Sequence, residues 1–160
     1  MKTRLIITAL ALLVVGTTAV SAQHQHAGGI VRGIEHPERI PDAVAYRVWF
    51  DSISGMEESH REDAIRAVGM TKQDHDVLVI ELGRYNTLRD ALRTAYNKHQ
   101  EQTGGKDVAS ILKYQADVAA LVAQTRKNIN ANTAPFTGLR LQEHIQREKA
   151  HMTISESEAQ

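Results

Sequence analysis

The chain has 160 residues, a length that suits one domain around a single hydrophobic core. Its hydrophobic fraction of 42% and charged fraction of 24% are those of an ordinary globular protein, which excludes a fully disordered or collagen-like chain. The 19 basic residues balance the 19 acidic residues, so we expect no nucleic-acid partner. Cysteine is absent, which excludes disulfides, thiolate zinc sites and thiol nucleophiles.

The N-terminus has the pattern of a secretory signal peptide. An uncharged apolar stretch, 5–15, follows two basic residues, and small residues follow it at the positions that a signal peptidase recognises. The stretch is shorter than the roughly 20 residues of a membrane-spanning helix. We therefore expect residues 1–22 to be removed by cleavage after Ser21 or Ala22. The mature protein is expected to be exported to the periplasm or the medium, without stable membrane insertion.

The mature chain is predicted to be a helical domain, 41–152, between two less regular ends. Residues 23–40 are polar and contain three glycines and a proline, so a flexible leader is expected there. Residues 153–160 are predicted to form a polar tail. No segment has the apolar alternation of a sheet protein. The predicted fold class is therefore all-α.

Start and stop signals divide the domain into five predicted helices. Pro41 suits a first helical position, Thr71 and Asp107 suit N-caps of the third and fourth helices, and Thr137 is the expected cap of the fifth. The glycines that follow the first and second helices suit helix ends. The predicted ranges are 41–55, 56–68, 72–102, 107–130 and 138–152.

The two longest helices carry matching apolar stripes. One stripe on each helix recurs in steps of three and four, as a buried helical face does. A short turn at Gly104 joins the helices, which predicts an antiparallel hairpin with the shorter helices packed on it. The stripe residues are Leu78, Leu82, Tyr85, Arg89, Leu92, Tyr96 and His99, followed by Ile111, Gln115, Val118, Val122, Thr125 and Ile129.

The start of the helical domain, 36–50, has the sequence His-Pro-Glu-Arg-Ile-Pro-Asp-Ala-Val-Ala-Tyr-Arg-Val-Trp-Phe. It resembles the opening of small exported bacterial proteins of unassigned function, which share an Ile-Pro-Asp segment followed by Ala-Tyr-Arg and two aromatic residues. The resemblance covers about fifteen residues. It implies an exported helical protein and no particular chemistry.

Two Glu-x-x-His units are the first candidate for metal chemistry. Residues three apart share a helix face, and carboxylate-bridged di-iron bundles use this unit on two helices. Further bridging carboxylates would have to come from Glu81 and Asp51. The alternative is an ordinary salt-bridged surface, since acidic residues near a helix start also favour the helix dipole. The candidate ligands are Glu57 and His60 in one unit, and Glu148 and His151 with the neighbouring His144 in the other.

A second metal candidate lies at the expected new N-terminus. Cleavage after Ser21 leaves a histidine at the third position, His24, with His26 two residues later. A free amine, two amide nitrogens and an imidazole suit square-planar Cu(II) or Ni(II). Cleavage after Ala22 removes this arrangement, and the residues then belong to a solvated leader.

Tyr46, Trp49 and Phe50 form the largest aromatic group in the chain. Their helical spacing favours core packing, with a partner-binding patch as the alternative. Since no nucleophile motif, phosphate-binding glycine loop or His-Glu-x-x-His unit is present, we expect a non-catalytic protein without a cofactor. Such a protein acts structurally or by binding another protein or an envelope component. The alternative is a transition-metal-binding or redox helical bundle.

Overall fold

The computed structural model describes residues 29–105 and 107–159. Five α-helices dominate it, as the sequence predicts, and the all-α fold class is confirmed. Three short 3-10 helices and a two-stranded sheet complete the described part. The α-helices are α1 (Asp42–Gly55), α2 (Glu58–Arg66), α3 (Lys72–Thr103), α4 (Val108–Asn132) and α5 (Pro135–Glu148). The strands are β1 (Ile30–Arg32) and β2 (Thr153–Ser155).

The ends of the long helices follow the capping chemistry of the sequence. The Thr71 hydroxyl accepts a hydrogen bond from the Asp74 amide at 3.2 Å, and the Asp107 carboxylate accepts one from the Ser110 amide at 3.2 Å. Gly104 ends α3 with a φ of 69°, a left-handed conformation that glycine adopts without strain. Because α3 and α4 pack against each other on either side of this short turn, the antiparallel hairpin is confirmed.

The start of α5 differs from the prediction. The helix begins at Pro135, and Thr137 lies inside its first turn instead of capping it. The Thr137 hydroxyl donates to the Asp74 carboxylate at 2.6 Å, and the same carboxylate accepts from the Ala134 amide at 3.0 Å. Asp74 of α3 therefore supplies the cap from a distant part of the chain. The Thr137 hydrogen bond and the Ala134 amide lower the pKa of Asp74.

The described part of the predicted flexible leader pairs with the predicted polar tail. β1 and β2 run antiparallel, with Val31 opposite Ile154, and both of these side chains are buried. Beyond β2, Glu156 forms an ion pair with Arg39. The described part of the predicted leader and the predicted tail thus form a small sheet that closes one side of the core. Three-residue strands are too short to produce a recognisable alternation.

The core lies where α1, α5 and the small sheet pack on one end of the α3–α4 hairpin. Its largest fully buried side chains include Tyr85, Phe50, Ile53, Leu78, Ile129 and Ile145. The Phe50 and Tyr85 rings meet edge to face with centroids 5.2 Å apart. None of the described helices is long and apolar enough to cross a membrane.

The hairpin is much longer than the elements that pack on it. α3 has 32 residues, about 48 Å, whereas α1 has 14, about 21 Å. Between Asn86 and Asp117 no described side chain is buried. We call the described residues within 88–117 the distal hairpin. It extends from the core as two helices, and among the described residues α1 reaches it only at its base, where Asp51 bonds Arg89 and Val44 borders a groove with Tyr96.

Candidate functional site

The predicted stripe of α3 continues into the distal hairpin, but the protein's own core covers only its first half. Leu78, Leu82 and Tyr85 are buried, whereas Leu92 and Tyr96 are half-buried. On α4, Val118 is buried and Ile111 is half-buried. The apolar stripe of the two long helices is thus longer than the core that covers it.

Polar and aromatic contacts hold the two helices of the distal hairpin together. The Tyr96 and Tyr114 rings stack with centroids 4.7 Å apart. Nearer the turn, His99 Nε2 lies 2.7 Å from Asp107 Oδ2. The His99 hydrogen bond and the Ser110 amide lower the pKa of Asp107. These contacts join the two helices in a region where no described side chain is buried.

A groove of about 380 Å³ lies where the distal hairpin meets the core. Its walls are mostly aliphatic and aromatic, and its polar lining residues are Arg47, Arg89, Gln115, Ser157 and Glu158. A groove of this size and character suits an apolar side chain or helix from a ligand. The apolar lining comprises Ala43 and Val44 from α1, Tyr96 from α3, and Ile111, Tyr114, Val118, Ala119 and Val122 from α4.

The charged groups that line the groove are paired within the protein. Arg47 forms an ion pair with Glu158. Burial raises the pKa of Glu158, but hydrogen bonds from Ser155 and the Arg47 charge outweigh burial and lower it. Arg89 makes two contacts with Asp51, Nε to Oδ1 at 2.7 Å and Nη2 to Oδ2 at 2.8 Å. Neither arginine therefore offers an uncompensated charge to a ligand.

The outward side of α4 forms a second apolar surface, which meets the groove at Ala119. Between Val108 and Thr125 the only charged residues are Lys113 and Asp117, which form an ion pair with each other at 2.6 Å. A helix that is apolar on more than one side is normally covered on more than one side. We call its exposed residues the α4 outer face: Val108, Ala109, Leu112, Ala116, Ala119 and Ala123.

The Glu-x-x-His units occupy separate places in the fold. Glu57 and His60 are exposed at the start of α2, and His151 is exposed after α5. His144 is buried against the Trp49 ring, with centroids 5.6 Å apart. Glu148 lies beside it, half-buried. Among the described residues, no three histidine, aspartate or glutamate side chains lie together in a way that could hold a metal ion.

The remaining metal candidates have other partners or lie outside the described residues. Glu81 accepts hydrogen bonds from Arg84 at 2.6 Å and Asn128 at 3.1 Å. Asp51 is held by Arg89, and it also accepts a hydrogen bond from the Tyr85 hydroxyl at 2.8 Å. Burial and this hydrogen bond raise the pKa of Tyr85. His24 and His26 are not among the described residues.

The three aromatic residues of α1 lie in the core. Tyr46 is 3% exposed, Trp49 is 5% exposed and Phe50 is fully buried. The Arg126 guanidinium covers the Tyr46 ring at 3.8 Å. The three rings therefore pack in the core and do not form a surface patch.

The α4 outer face is not evident from the sequence pattern. From Ala109 onward its residues recur in steps of three and four, as those of the predicted stripe do, but most of them are alanine. Alanine is common on both buried and exposed helix faces, so its spacing gives a weak signal. The scarcity of charge along α4, compared with the many charged residues of α3, was the available indication.

No family model, curated protein or solved structure matches the chain.

Proposed function

We propose that this is an exported, non-catalytic binding protein whose distal hairpin docks an apolar helical surface of a polypeptide. The observation that supports the proposal is the uncovered apolar surface of the distal hairpin: the packing stripe of α3 and α4 continues beyond the core, and the α4 outer face, which includes Leu112, is exposed. Exposed apolar surface of this kind marks interaction sites in soluble proteins.

The charge distribution favours a polypeptide partner over a nucleic acid. The arginines at the groove are neutralised by Asp51 and Glu158, and Lys113 is neutralised by Asp117. Nucleic-acid binding depends on uncompensated basic side chains that contact phosphates. The groove and the α4 outer face instead offer aliphatic and aromatic contacts, which an amphipathic helix supplies.

The test uses Leu112, which is 61% exposed on α4, and Ile80, which is 55% exposed on α3 near the core. A photo-crosslinking residue is placed at either position in cells that produce the protein. The polypeptide that is crosslinked is then purified and titrated against the wild type, Leu112→Glu and Ile80→Glu.

We expect an adduct at position 112 and none at position 80. Leu112→Glu should weaken binding of the purified partner at least tenfold, while Ile80→Glu should leave it within twofold. Both variants should melt at the wild-type temperature, because both positions are exposed. Absence of an adduct at 112, or equal weakening by both variants, would refute the proposal.

A further inference from the structure

We propose that Tyr96 and Tyr114 form a site of oxidative modification, where hydrogen peroxide and a haem peroxidase join the two phenol rings into a dityrosine link. The link would staple α3 to α4 inside the distal hairpin. This site is independent of the proposed function, because its chemistry involves only the two rings and their surroundings. Three observations support it: the contact between the rings, their accessibility and the different surroundings of the other tyrosines.

The two rings lie against each other across the hairpin. Tyr96 belongs to α3 and Tyr114 to α4, and their rings stack with centroids 4.7 Å apart and planes inclined by 22°. Dityrosine forms when two phenoxyl radicals couple at ring carbons next to their oxygens, so stacked rings need only a small sliding movement to react. Between Asn86 and Asp117 no described side chain is buried, so a close-packed core does not hold the rings in place.

A small oxidant can reach both rings from two sides. They line the groove and also a second cleft of about 480 Å³ nearer the turn, which Leu92 and His99 border as well. Both tyrosines are half-buried. A radical on one ring therefore has the other ring beside it at a high effective concentration, while its own partial burial limits contact with a second molecule. This geometry favours coupling within one chain.

The other two tyrosines of the chain have no such arrangement. Tyr46 is 3% exposed, and the Arg126 guanidinium covers its ring at 3.8 Å. Tyr85 is fully buried, and its hydroxyl donates to Asp51 at 2.8 Å. Both rings meet the ring of Phe50 edge to face. A radical on either of them thus has a phenyl ring as its neighbour instead of a second phenol.

The coupling balances as a two-electron oxidation. Each phenol loses one electron and one proton, and the two radicals form one carbon–carbon bond between positions ortho to their oxygens. The hydrogen on each coupled carbon then moves to the oxygen and restores the phenol. Hydrogen peroxide takes up the two electrons and two protons through the haem of the peroxidase and becomes two water molecules. Because the chain has no cysteine, a disulfide cannot supply the same connection.

Peptide mapping tests the link directly. Trypsin separates the four tyrosines onto four peptides, because a lysine or an arginine lies between each tyrosine and the next. After brief treatment of the purified chain with hydrogen peroxide and a haem peroxidase, we expect dityrosine fluorescence at the monomer mass. Peptides 94–98 and 114–126 should be joined, with two hydrogen atoms lost. Amide hydrogen exchange in the distal hairpin should be at least tenfold slower in the linked protein than in the untreated one.

Three variants provide matched controls. Tyr114→Phe keeps a stacked ring but removes one phenol, and it should lower the yield of the link within one chain at least tenfold. Tyr46→Phe removes a buried phenol instead and should leave the yield within twofold. Adding Leu112→Tyr to Tyr114→Phe restores the number of tyrosines, but it places the phenol on the exposed α4 outer face and should not restore the link. Circular dichroism should show the wild-type helix content in all three.

Several results would overturn the proposal. These are a wild-type chain that forms no dityrosine, links that mainly join two chains, a linked pair that includes Tyr46 or Tyr85, and a link restored by Leu112→Tyr. Unchanged hydrogen exchange in the linked protein would also overturn it, because the link would then not staple the two helices.

Discussion

The buried imidazole of His144 makes the stability of the protein sensitive to pH. Burial lowers its pKa, the charge of Glu148 opposes this shift, and that of Arg147 adds to it. The native state therefore favours the neutral ring that contacts Trp49. An unfolded histidine titrates near pH 6.5. The contribution of His144 to the free energy of unfolding is therefore fully present above about pH 6.5 and is lost as the pH falls below it, towards the lowered pKa of the folded state.

We predict that His144→Phe reduces this loss. The phenyl ring preserves the edge contact with Trp49 and has no proton to bind. Urea unfolding of both proteins at about pH 7.5 and about pH 5.5 measures the effect, and the wild type should lose more stability between the two than the variant does. An equal loss in the two proteins would show that other groups cause the pH dependence.

Gly33 and Gly83 look alike in the sequence, but the space around each of them in the fold is very different. A Cβ on Gly33, just after β1, would lie 1.6 Å from the Lys149 backbone oxygen. The Gly33 amide also donates to the Met152 oxygen at 2.8 Å, so the chain cannot easily move away. A Cβ on Gly83, inside α3, would meet nothing within 4 Å.

We predict that Gly33→Ala destabilises the protein by about 1–3 kcal/mol or more through overpacking. By contrast, Gly83→Ala should stabilise it by about 0.5–1 kcal/mol, because alanine restricts the unfolded chain and favours the helix. Urea denaturation of both variants and the wild type shows whether each substitution lowers or raises the free energy of unfolding. A neutral Gly33→Ala would mean that β1 and the segment after α5 separate readily.

The long helices could be predicted from the sequence because their signals are local. Thr71 and Asp107 form cap hydrogen bonds with residues three positions later, and the stripes repeat over many turns. The start of α5 could not be predicted, because its cap is the side chain of Asp74, 60 residues earlier than Ala134. The pairing of β1 with β2 depends on contacts between the two ends of the described chain, which no local pattern encodes. The stripe residues that line the candidate groove could be predicted from their spacing. The groove itself could not, because the sequence does not indicate where the core ends.

At the scale of the whole molecule, export is a prediction about the chain before β1. Cleavage after Ser21 or Ala22 leaves β1 intact, because the strand begins at Ile30. We predict that mass spectrometry of the protein released by osmotic shock or found in the medium shows Ala22 or Gln23 as the first residue. An intact Met1 in the envelope fraction would contradict removal of the signal peptide.

The paired chain ends also predict how the whole fold responds to damage at its C-terminus. Ile154 of β2 is buried opposite Val31, whereas Thr153 beside it is exposed. Ile154→Ala should lower the free energy of unfolding by about 2–5 kcal/mol through lost burial and an unfilled cavity. Thr153→Ala should change it by less than about 0.5 kcal/mol.

Removal of residues 153–160 should cost more than Ile154→Ala, because it also removes the ion pairs of Glu156 with Arg39 and of Glu158 with Arg47. The melting temperatures of the three variants and the wild type give their order of stability. If the truncated protein melts at the wild-type temperature, the C-terminal segment is a dispensable tail and the sheet contributes nothing to stability. If it melts lower while Thr153→Ala does not, the last residues of the chain support the wall of the groove to which Ser157 and Glu158 belong.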